Sequence, residues 1–198
     1  MDGRPQGMDE RADKSVSDAT GIMAAASRAS QKGPPPVHLW DPPFCGHLDM
    51  EIRKDGSWFY QGTPIGRPAM VRLFASILKR EGDAYFLVTP VEKVGIRVQD
   101  APFIAVDAEI GEDNITFTTN VGDSFTAGAE HRIVIRGTVD VPRPYVHVRR
   151  DLWALIDRKT FYRLAETATS DAQGHLSLCS GGVSFLLEPP SCHDTPPI

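Results

Sequence analysis

Residues 46–103 constrain the fold most, because they combine a predicted hairpin, an amphipathic helix and a second hairpin in one short unit. From Leu48 to Ile52, apolar residues alternate with polar ones, a pattern typical of a strand with one buried face. The Asp55-Gly56 pair suits a tight turn, and the aromatic run that follows it suits the return strand. The unit is therefore predicted to begin with a β-hairpin.

A helix is predicted next, because Pro68 suits a first helical turn and apolar residues then recur at helical spacing as far as Leu78. Lys79 and Arg80 would lie in the last turn, where the negative end of the helix dipole favours them, and Gly82 would end the helix. Two paired strands are predicted after it, at residues 84–89 and 94–98. The whole unit is strand, strand, helix, strand, strand.

A weaker copy of this unit is predicted near the C-terminus. Trp153 aligns with Trp58, and residues 161–165 align with residues 70–74 of the predicted helix. Strands at 176–179 and 183–187, joined by a Ser-Gly-Gly turn, complete the order.

Between the copies, short strands are predicted at 103–110, 115–119, 124–127 and 133–139, a spacing typical of a curved or barrel-like antiparallel sheet. We therefore predict an α+β fold of two domains that share a repeated strand-strand-helix-strand-strand motif. The second domain is predicted to be larger, β-barrel-like and superficially similar to a pleckstrin-homology domain.

The predicted domain bounds follow from composition. Residues 1–37 are rich in polar and small residues and end in a Gly-Pro-Pro-Pro spacer, so they cannot bury enough apolar surface to offset chain entropy. They are predicted to form a disordered N-terminal arm. A small α+β domain is predicted at 38–100, a β-rich α+β domain at 101–190 and a tail at 191–198.

Charge and cysteine content narrow the function. A formal net charge of −5 disfavours nucleic-acid binding, which requires a basic surface. Three widely spaced cysteines support neither a disulfide framework nor a structural zinc site, so we expect a cytoplasmic protein. The apolar runs are too short for a signal-peptide core or a transmembrane segment, and no cofactor fingerprint occurs, so no cofactor is predicted.

Residues 46–78 and 85–103 resemble the bacterial family known as domain of unknown function 1285, and the similarity runs over most of residues 40–188. The resemblance implies a two-domain α+β protein with a repeated motif, a ligand site where the domains meet and no established activity. It also implies a role in signalling or regulation.

The residues that match the polar motifs of this family include Arg67, Thr89, Glu92, Lys93 and Asp100, and we expect them to contact a ligand. Arg67 precedes a helix start, where backbone N–H groups and a guanidinium can hold a carboxylate or phosphate. The loop of residues 89–93 carries charge where the second copy has a minimal turn, so turn geometry alone does not require that charge. The alternative for these residues is a set of surface ion pairs.

A basic segment near residue 150 is a further candidate for anion binding, through Arg149 and Arg150. No catalytic residue is predicted, because Ser124 lacks a suitable Asp/His pair and a triad cannot form from the adjacent Cys192 and His193. No metal site is predicted, since His47 and Asp49 share a strand face without a third ligand.

The sequence leaves three functions open. The first is a non-catalytic ligand-binding or regulatory protein, whose partner is a small anionic ligand or a protein bound at the interface of the two domains. The second is a hydrolase in which Glu92 or Asp100 acts as a base beside His47 or a bound metal. The third is a structural adaptor that docks another protein.

Overall fold

The computed structural model describes residues 18–30, 34–138, 140–170 and 174–189. The first half of this part of the chain contains two α-helices, a short 3-10 helix and six strands. These are α1 (Ala19–Ser30), the 3-10 helix (Val37–Leu39), β1 (Phe44–Ile52), β2 (Trp58–Tyr60), β3 (Thr63–Pro64), α2 (Pro68–Ser76), β4 (Leu78–Glu81), β5 (Ala84–Val88) and β6 (Lys93–Val98).

The second half contains one α-helix and nine strands in the described residues. These are β7 (Phe103–Ile110), β8 (Ile115–Thr119), β9 (Ser124–Thr126), β10 (Ile133–Gly137), β11 (Pro142–Arg149), β12 (Leu152–Ile156), α3 (Arg158–Glu166), β13 (Thr169–Ser170), β14 (Leu176–Ser180) and β15 (Val183–Leu186). The predicted hairpin of β1 and β2 and the predicted pair of β5 and β6 are both confirmed as antiparallel pairs.

Each half builds a six-stranded sheet with the same topology. The order is β3-β2-β1-β6-β5-β4 in the first sheet and β9-β8-β7-β12-β11-β10 in the second. In each sheet, two antiparallel three-stranded meanders meet at one central parallel pair, β1 with β6 or β7 with β12. The structural repeat therefore relates β1–β6 to β7–β12.

This repeat differs from the motif that the sequence predicted. Helix α2 connects the two meanders of the first sheet, whereas α3 follows the last strand of the second sheet and leads into a separate sheet of order β13-β14-β15. Trp58 lies on β2 and Trp153 on β12, which hold different positions in their sheets. The second half is also not a closed barrel, because its six-stranded sheet is open, with β9 and β10 at the edges.

Helix α2 is shorter than predicted. It starts at Pro68 as expected, but it ends at Ser76, and Lys79 and Arg80 lie on strand β4. The burial of β4 alternates, with Leu78 and Arg80 buried, because this strand pairs with β5 at the sheet edge. Gly82 is in the turn between the two strands and has a φ of 59°, which glycine adopts without strain.

Helix α1 lies within the segment that was predicted to be a disordered arm. The Asp18 carboxylate caps it by accepting a hydrogen bond of 2.7 Å from the Gly21 N–H. Ile22 and Ala26 share one face of the helix and are fully buried in the common core, so this short apolar stripe offsets the ordering cost of the segment. Residues 1–17 and 31–33 of the predicted arm and the predicted tail at 191–198 lie outside the described residues.

One continuous apolar core joins the two halves. The turn of β1 and β2 packs on the second half at Asn120, whose side-chain amide donates to the Gly56 carbonyl at 3.2 Å. The same side chain accepts from the Ile104 N–H at 3.0 Å. Glycine is required at position 56, because φ is 79° and a Cβ would lie 2.6 Å from the Ile104 side chain and 2.7 Å from that of Asn120.

Candidate functional site

Charged and aromatic side chains from both halves meet near the edge strands β4 and β10. Each half contributes an arginine from its fourth strand and a tyrosine from its fifth, and these strands hold equivalent positions in the two sheets. The connection between the halves adds an aspartate, and β11 adds a second arginine. We call this set the junction cluster; it consists of Arg80, Tyr85, Asp100, Arg136, Arg143 and Tyr145.

In the first half, the Arg80 side chain is almost fully buried, with 5% of its surface exposed. Its Nε donates to the Gly82 carbonyl at 2.7 Å, and Nη2 lies 3.3 Å from the exposed Asp83 carboxylate. The guanidinium carbon is 5.7 Å from the centre of the Tyr85 ring, within reach of a cation–π interaction. Arg80 is therefore held in place by its own hairpin.

In the second half, the Arg136 guanidinium is half-buried between two aromatic rings, 4.9 Å from the centre of Tyr145 and 5.2 Å from that of Trp153. No side chain or carbonyl in the described ranges accepts a hydrogen bond from it. Ring faces attract the cation but do not satisfy its N–H groups. Arg136 is thus a positioned cation whose donors are available.

Asp100 links the halves. Its two carboxylate oxygens accept from Arg143 Nη2 at 2.5 Å and from the Tyr145 hydroxyl at 2.7 Å. The Asp100 side chain is 17% exposed and Tyr145 is buried, so the bond between them is largely shielded from water, whereas the Arg143 side chain is 45% exposed. This carboxylate fixes the Tyr145 ring on which Arg136 rests.

Burial is the main cause of the pKa shifts in the cluster. Burial, together with the hydrogen bond to Asp100, raises the pKa of Tyr145 to about 12. Burial also raises the pKa of Tyr85, although the charge of Arg80 opposes the shift. Burial lowers the pKa of Arg136; the tyrosine at 145 opposes this, while the positive charge of Arg80 adds to it. The two arginines therefore repel each other across a poorly solvated junction.

Of the residues predicted to contact a ligand, Asp100 lies in the junction cluster. Thr89 is fully buried, and its hydroxyl bonds the turn that it begins, accepting from the Glu92 N–H at 3.2 Å. Glu92 is half-buried in that turn. Lys93 is bound 2.9 Å from the Glu81 carboxylate and lies 5.1 Å from the centre of the Phe86 ring.

Arg67 is exposed immediately before α2, and its neighbours line a cavity of about 220 Å³ between the halves. The same cavity is lined by Trp58, whose buried indole N–H has no acceptor among the described residues. The structure does not bring Arg67 together with the loop of residues 89–93 into this cavity, whose lining is Gly56, Ser57, Trp58, Pro64, Ile65, Gly66, Pro68, Val71 and Asn120.

The two arginines of the basic segment make contacts inside the protein. Arg149 pairs with Asp123 and donates to the Ala75 carbonyl at 2.9 Å, near the end of α2, where a cation is favoured. Arg150 has a φ of 52° and donates to the Pro35 carbonyl at 3.3 Å. Burial, and then the charge of Arg149, lowers the pKa of Arg150.

Sequence reasoning missed most of the junction cluster. Arg80 was predicted to end a helix, and Arg136 and Tyr145 carry no recognisable motif. The signal that could have found them is the true repeat, which places an arginine and a tyrosine on equivalent strands of both sheets. In the parts of the chain that the structure describes, no three His, Cys, Asp or Glu side chains are grouped as metal ligands. No helix in those parts is both long and apolar enough for a membrane span.

Comparison with known proteins identifies relatives over most of the chain. The model of the N-terminal domain of DUF1285, a domain of unknown function, matches residues 35–101, and the model of its C-terminal domain matches residues 102–187. No curated protein gives a significant match.

Two solved structures are similar. The crystal structure of a DUF1285 family protein from Silicibacter pomeroyi DSS-3 shares 55% identity, with a TM-score of 0.79; the match covers 87% of this chain and 96% of that one. A DUF1285 family protein from Shewanella baltica OS155 shares 32% identity, with a TM-score of 0.50, over 60% of this chain and 91% of that one.

Proposed function

The chain belongs to the DUF1285 family, and from the geometry of the junction we propose that it is a non-catalytic regulatory protein that binds a small anionic ligand. The ligand binds at the junction cluster, with Arg136 as its anchor. The observation that carries this proposal is the half-buried Arg136 guanidinium, which two aromatic rings hold in place and no acceptor in the described residues satisfies.

The charge balance of the cluster supports an anion as the ligand. Three guanidinium groups, those of Arg80, Arg136 and Arg143, lie near two carboxylates, the half-buried Asp100 and the exposed Asp83, which leaves an excess of positive charge. A shielded cation without an acceptor is costly, and a carboxylate or phosphate would supply paired oxygens to the planar N–H edge of Arg136. The same anion would relieve the repulsion between Arg80 and Arg136.

The position of the site supports a regulatory role. The cluster is built from side chains of both halves, so an anion bound there stabilises the contact between them. A ligand that binds across such a junction changes how strongly the two halves are held together. We place this function in the cytoplasm, where the free Cys45 and Cys179 thiols stay reduced.

The proposed contacts differ from those that the sequence favoured. Thr89 and Lys93 already have partners within their own sheet, whereas Asp100 holds the cluster together. We therefore retain Asp100 as a residue that positions Tyr145 and Arg143, and we assign the direct contact to Arg136.

Thermal unfolding of the full-length chain tests the proposal. Inorganic phosphate, sulfate, citrate and adenosine monophosphate are the probes. A ligand at 100 times its Kd stabilises the native state by about 2.7 kcal/mol, which raises Tm by several degrees in a chain of this size. We expect at least one of these anions to raise Tm.

Two variants make the test specific. Arg136→Gln should abolish the rise in Tm. Arg97→Gln is the matched control, because Arg97 is an exposed strand arginine paired with Asp49 at 3.3 Å, and the rise should persist in it. No rise with any of the four anions, or an equal loss in both variants, would overturn the proposal. A rise with divalent metals alone would favour the hydrolase alternative.

A further inference from the structure

A second cavity, of about 460 Å³, opens between the turn that joins β10 to β11 and the first turn of α3. Its volume is typical of small-molecule sites, which span about 300–1,000 Å³. The floor consists of the buried Pro144 and Ile156 and the half-buried Leu155 and Phe161. The floor is therefore apolar and includes an aromatic ring.

The rim exposes apolar groups that the fold does not require. Val141 is 64% exposed and Tyr162 is 53% exposed, and both line this cavity. Exposed apolar side chains around a concave apolar floor are typical of a binding site. Single exposed apolar side chains elsewhere on a surface enclose no ligand and need no such explanation. A ligand with an aromatic or branched apolar body would cover both residues.

Some of the charged side chains that line the cavity already have hydrogen-bond or ion-pair partners. Asp157 caps α3 by accepting from the Thr160 N–H at 2.7 Å, and Arg143 holds Asp100 at 2.5 Å. Asp140 is exposed. Neither Asp140 nor Arg158 makes an ion pair in the described ranges, so Arg158 is the one lining cation there without a carboxylate partner.

The Arg158 guanidinium is nevertheless held in a defined position. Its Nε and Nη2 donate to the Tyr162 hydroxyl at 3.0 and 2.9 Å, and its carbon lies 5.4 Å from the centre of the Tyr162 ring. The Tyr162 hydroxyl therefore occupies the Nε and Nη2 side of the guanidinium, and the N–H groups of Nη1 can donate to a ligand. An arginine fixed by a neutral hydroxyl keeps its full charge for a ligand.

We propose that this cavity is a second binding site, for a small carboxylate with a single aromatic or branched apolar body. The apolar body rests on Leu155, Ile156 and Phe161, and the carboxylate accepts from Arg158. The cavity shares Arg143 with the junction cluster, but its ligand contact is Arg158 and Arg136 does not line it, so the two proposals can be tested separately.

Isothermal titration calorimetry on the full-length chain tests this site with three probes. The probes are 3-phenylpropionate, its neutral analogue 3-phenylpropanol, and propionate, which has the charge without the ring. We expect 3-phenylpropionate to bind saturably and at least tenfold more tightly than either of the others. Equal affinity for the acid and the alcohol, or no saturable binding of the acid at millimolar concentration, would overturn the proposal.

Two neighbouring variants separate the specific effect from a general loss of charge. Arg158→Gln should weaken 3-phenylpropionate about tenfold and leave 3-phenylpropanol unchanged. Lys159→Gln removes the same charge from the next residue of α3, which is exposed and does not line the cavity, and it should leave both affinities unchanged. An equal loss in the two variants, or no loss in Arg158→Gln, would contradict a carboxylate contact at Arg158. Arg136→Gln should have no effect here, which distinguishes this site from the junction cluster.

Discussion

The two six-stranded sheets have the same strand order, but they are covered in different ways. In the first, helix α2 connects the two meanders and buries Phe74 and Ala75 in the core. In the second, residues 127–132 make the equivalent connection without a helix, and α3 covers the sheet only after its last strand. The comparison teaches that the position of a helix along the chain does not identify the repeating unit, because the covering helix can follow either the third strand of a sheet or its last strand.

The turns between the first two strands of each half also differ. Gly56 is buried against the second half, whereas Gly111 is exposed. The second turn is held instead by the third sheet, because the Asp113 carbonyl accepts from the Gly181 N–H at 2.9 Å. The strand order is the same, so the two turns differ in what they pack against.

Substitution at the buried turn should have the largest effect. We expect Gly56→Ala to lower the free energy of unfolding by about 3 kcal/mol, because a Cβ would overlap Ile104 and Asn120 and because alanine is strained at positive φ. Urea denaturation measures this change. Gly62→Ala is the control, since its φ is 73° but no atom of the described residues would lie within 4 Å of an added Cβ, and it should cost about 1 kcal/mol. Equal losses would show that the junction does not constrain the turn.

The attachment of the third sheet, which has no equivalent in the described residues of the first half, should give a smaller effect. The buried Ser180 hydroxyl donates to the Ala127 carbonyl and accepts from the Ile115 N–H, both at 2.8 Å. We expect Ser180→Ala to lower the free energy of unfolding by about 2 kcal/mol, because it leaves two buried backbone groups without partners. Ser184→Ala, at an exposed site on β15, should change the free energy by less than about 0.5 kcal/mol in the same urea titration. A Ser180→Ala value as small as this would contradict the role of the hydroxyl.

The smallest effect compares the tyrosines on the fifth strand of each half. The pKa of Tyr145 is raised to about 12 in the folded chain, above the ordinary value of about 10. Its stabilising contribution is therefore complete below about pH 10 and is lost as the pH rises through 12. We expect Tyr145→Phe to reduce the loss of stability between pH 10 and 11 by up to about 1 kcal/mol, because a group that titrates only in the unfolded chain costs at most about 1.4 kcal/mol per pH unit.

Tyr85→Phe provides the comparison, because burial raises the pKa of Tyr85 without a hydrogen bond to Asp100. Urea titrations at pH 8, 10 and 11 give the free energy of unfolding at each pH. The loss of this free energy with rising pH should be reduced less by Tyr85→Phe than by Tyr145→Phe. A change in Tyr85→Phe equal to or larger than that in Tyr145→Phe would show that Asp100 does not distinguish the two halves.

Local patterns were enough to identify many single elements. Strands predicted at 103–110 and 115–119 are β7 and β8, and the predicted helix start at Pro68 is the start of α2. These succeed because alternation, turn residues and a proline at a helix start act through neighbouring residues. The end of α2 was predicted wrongly, because Leu78 continues the helical spacing but is buried by pairing with Leu87 of β5.

The candidate site was less accessible from the sequence. Asp100 was singled out through the family resemblance, but its partners Arg143 and Tyr145 lie more than 40 positions away. Helix α1 was missed for a related reason, since Ile22 and Ala26 form a stripe too short to be stable without the core that receives it.

The sequence by itself determined the α+β class, the hairpins, the start of α2 and the family, because these depend on residue order over short distances or on similarity along the chain. Only the tertiary structure decided the true repeat, since the parallel pairs β1 with β6 and β7 with β12 join the ends of meanders that are distant in the chain. It also decided the junction cluster, because a site built from arginines and tyrosines of both halves exists only once both sheets have folded and brought those side chains together.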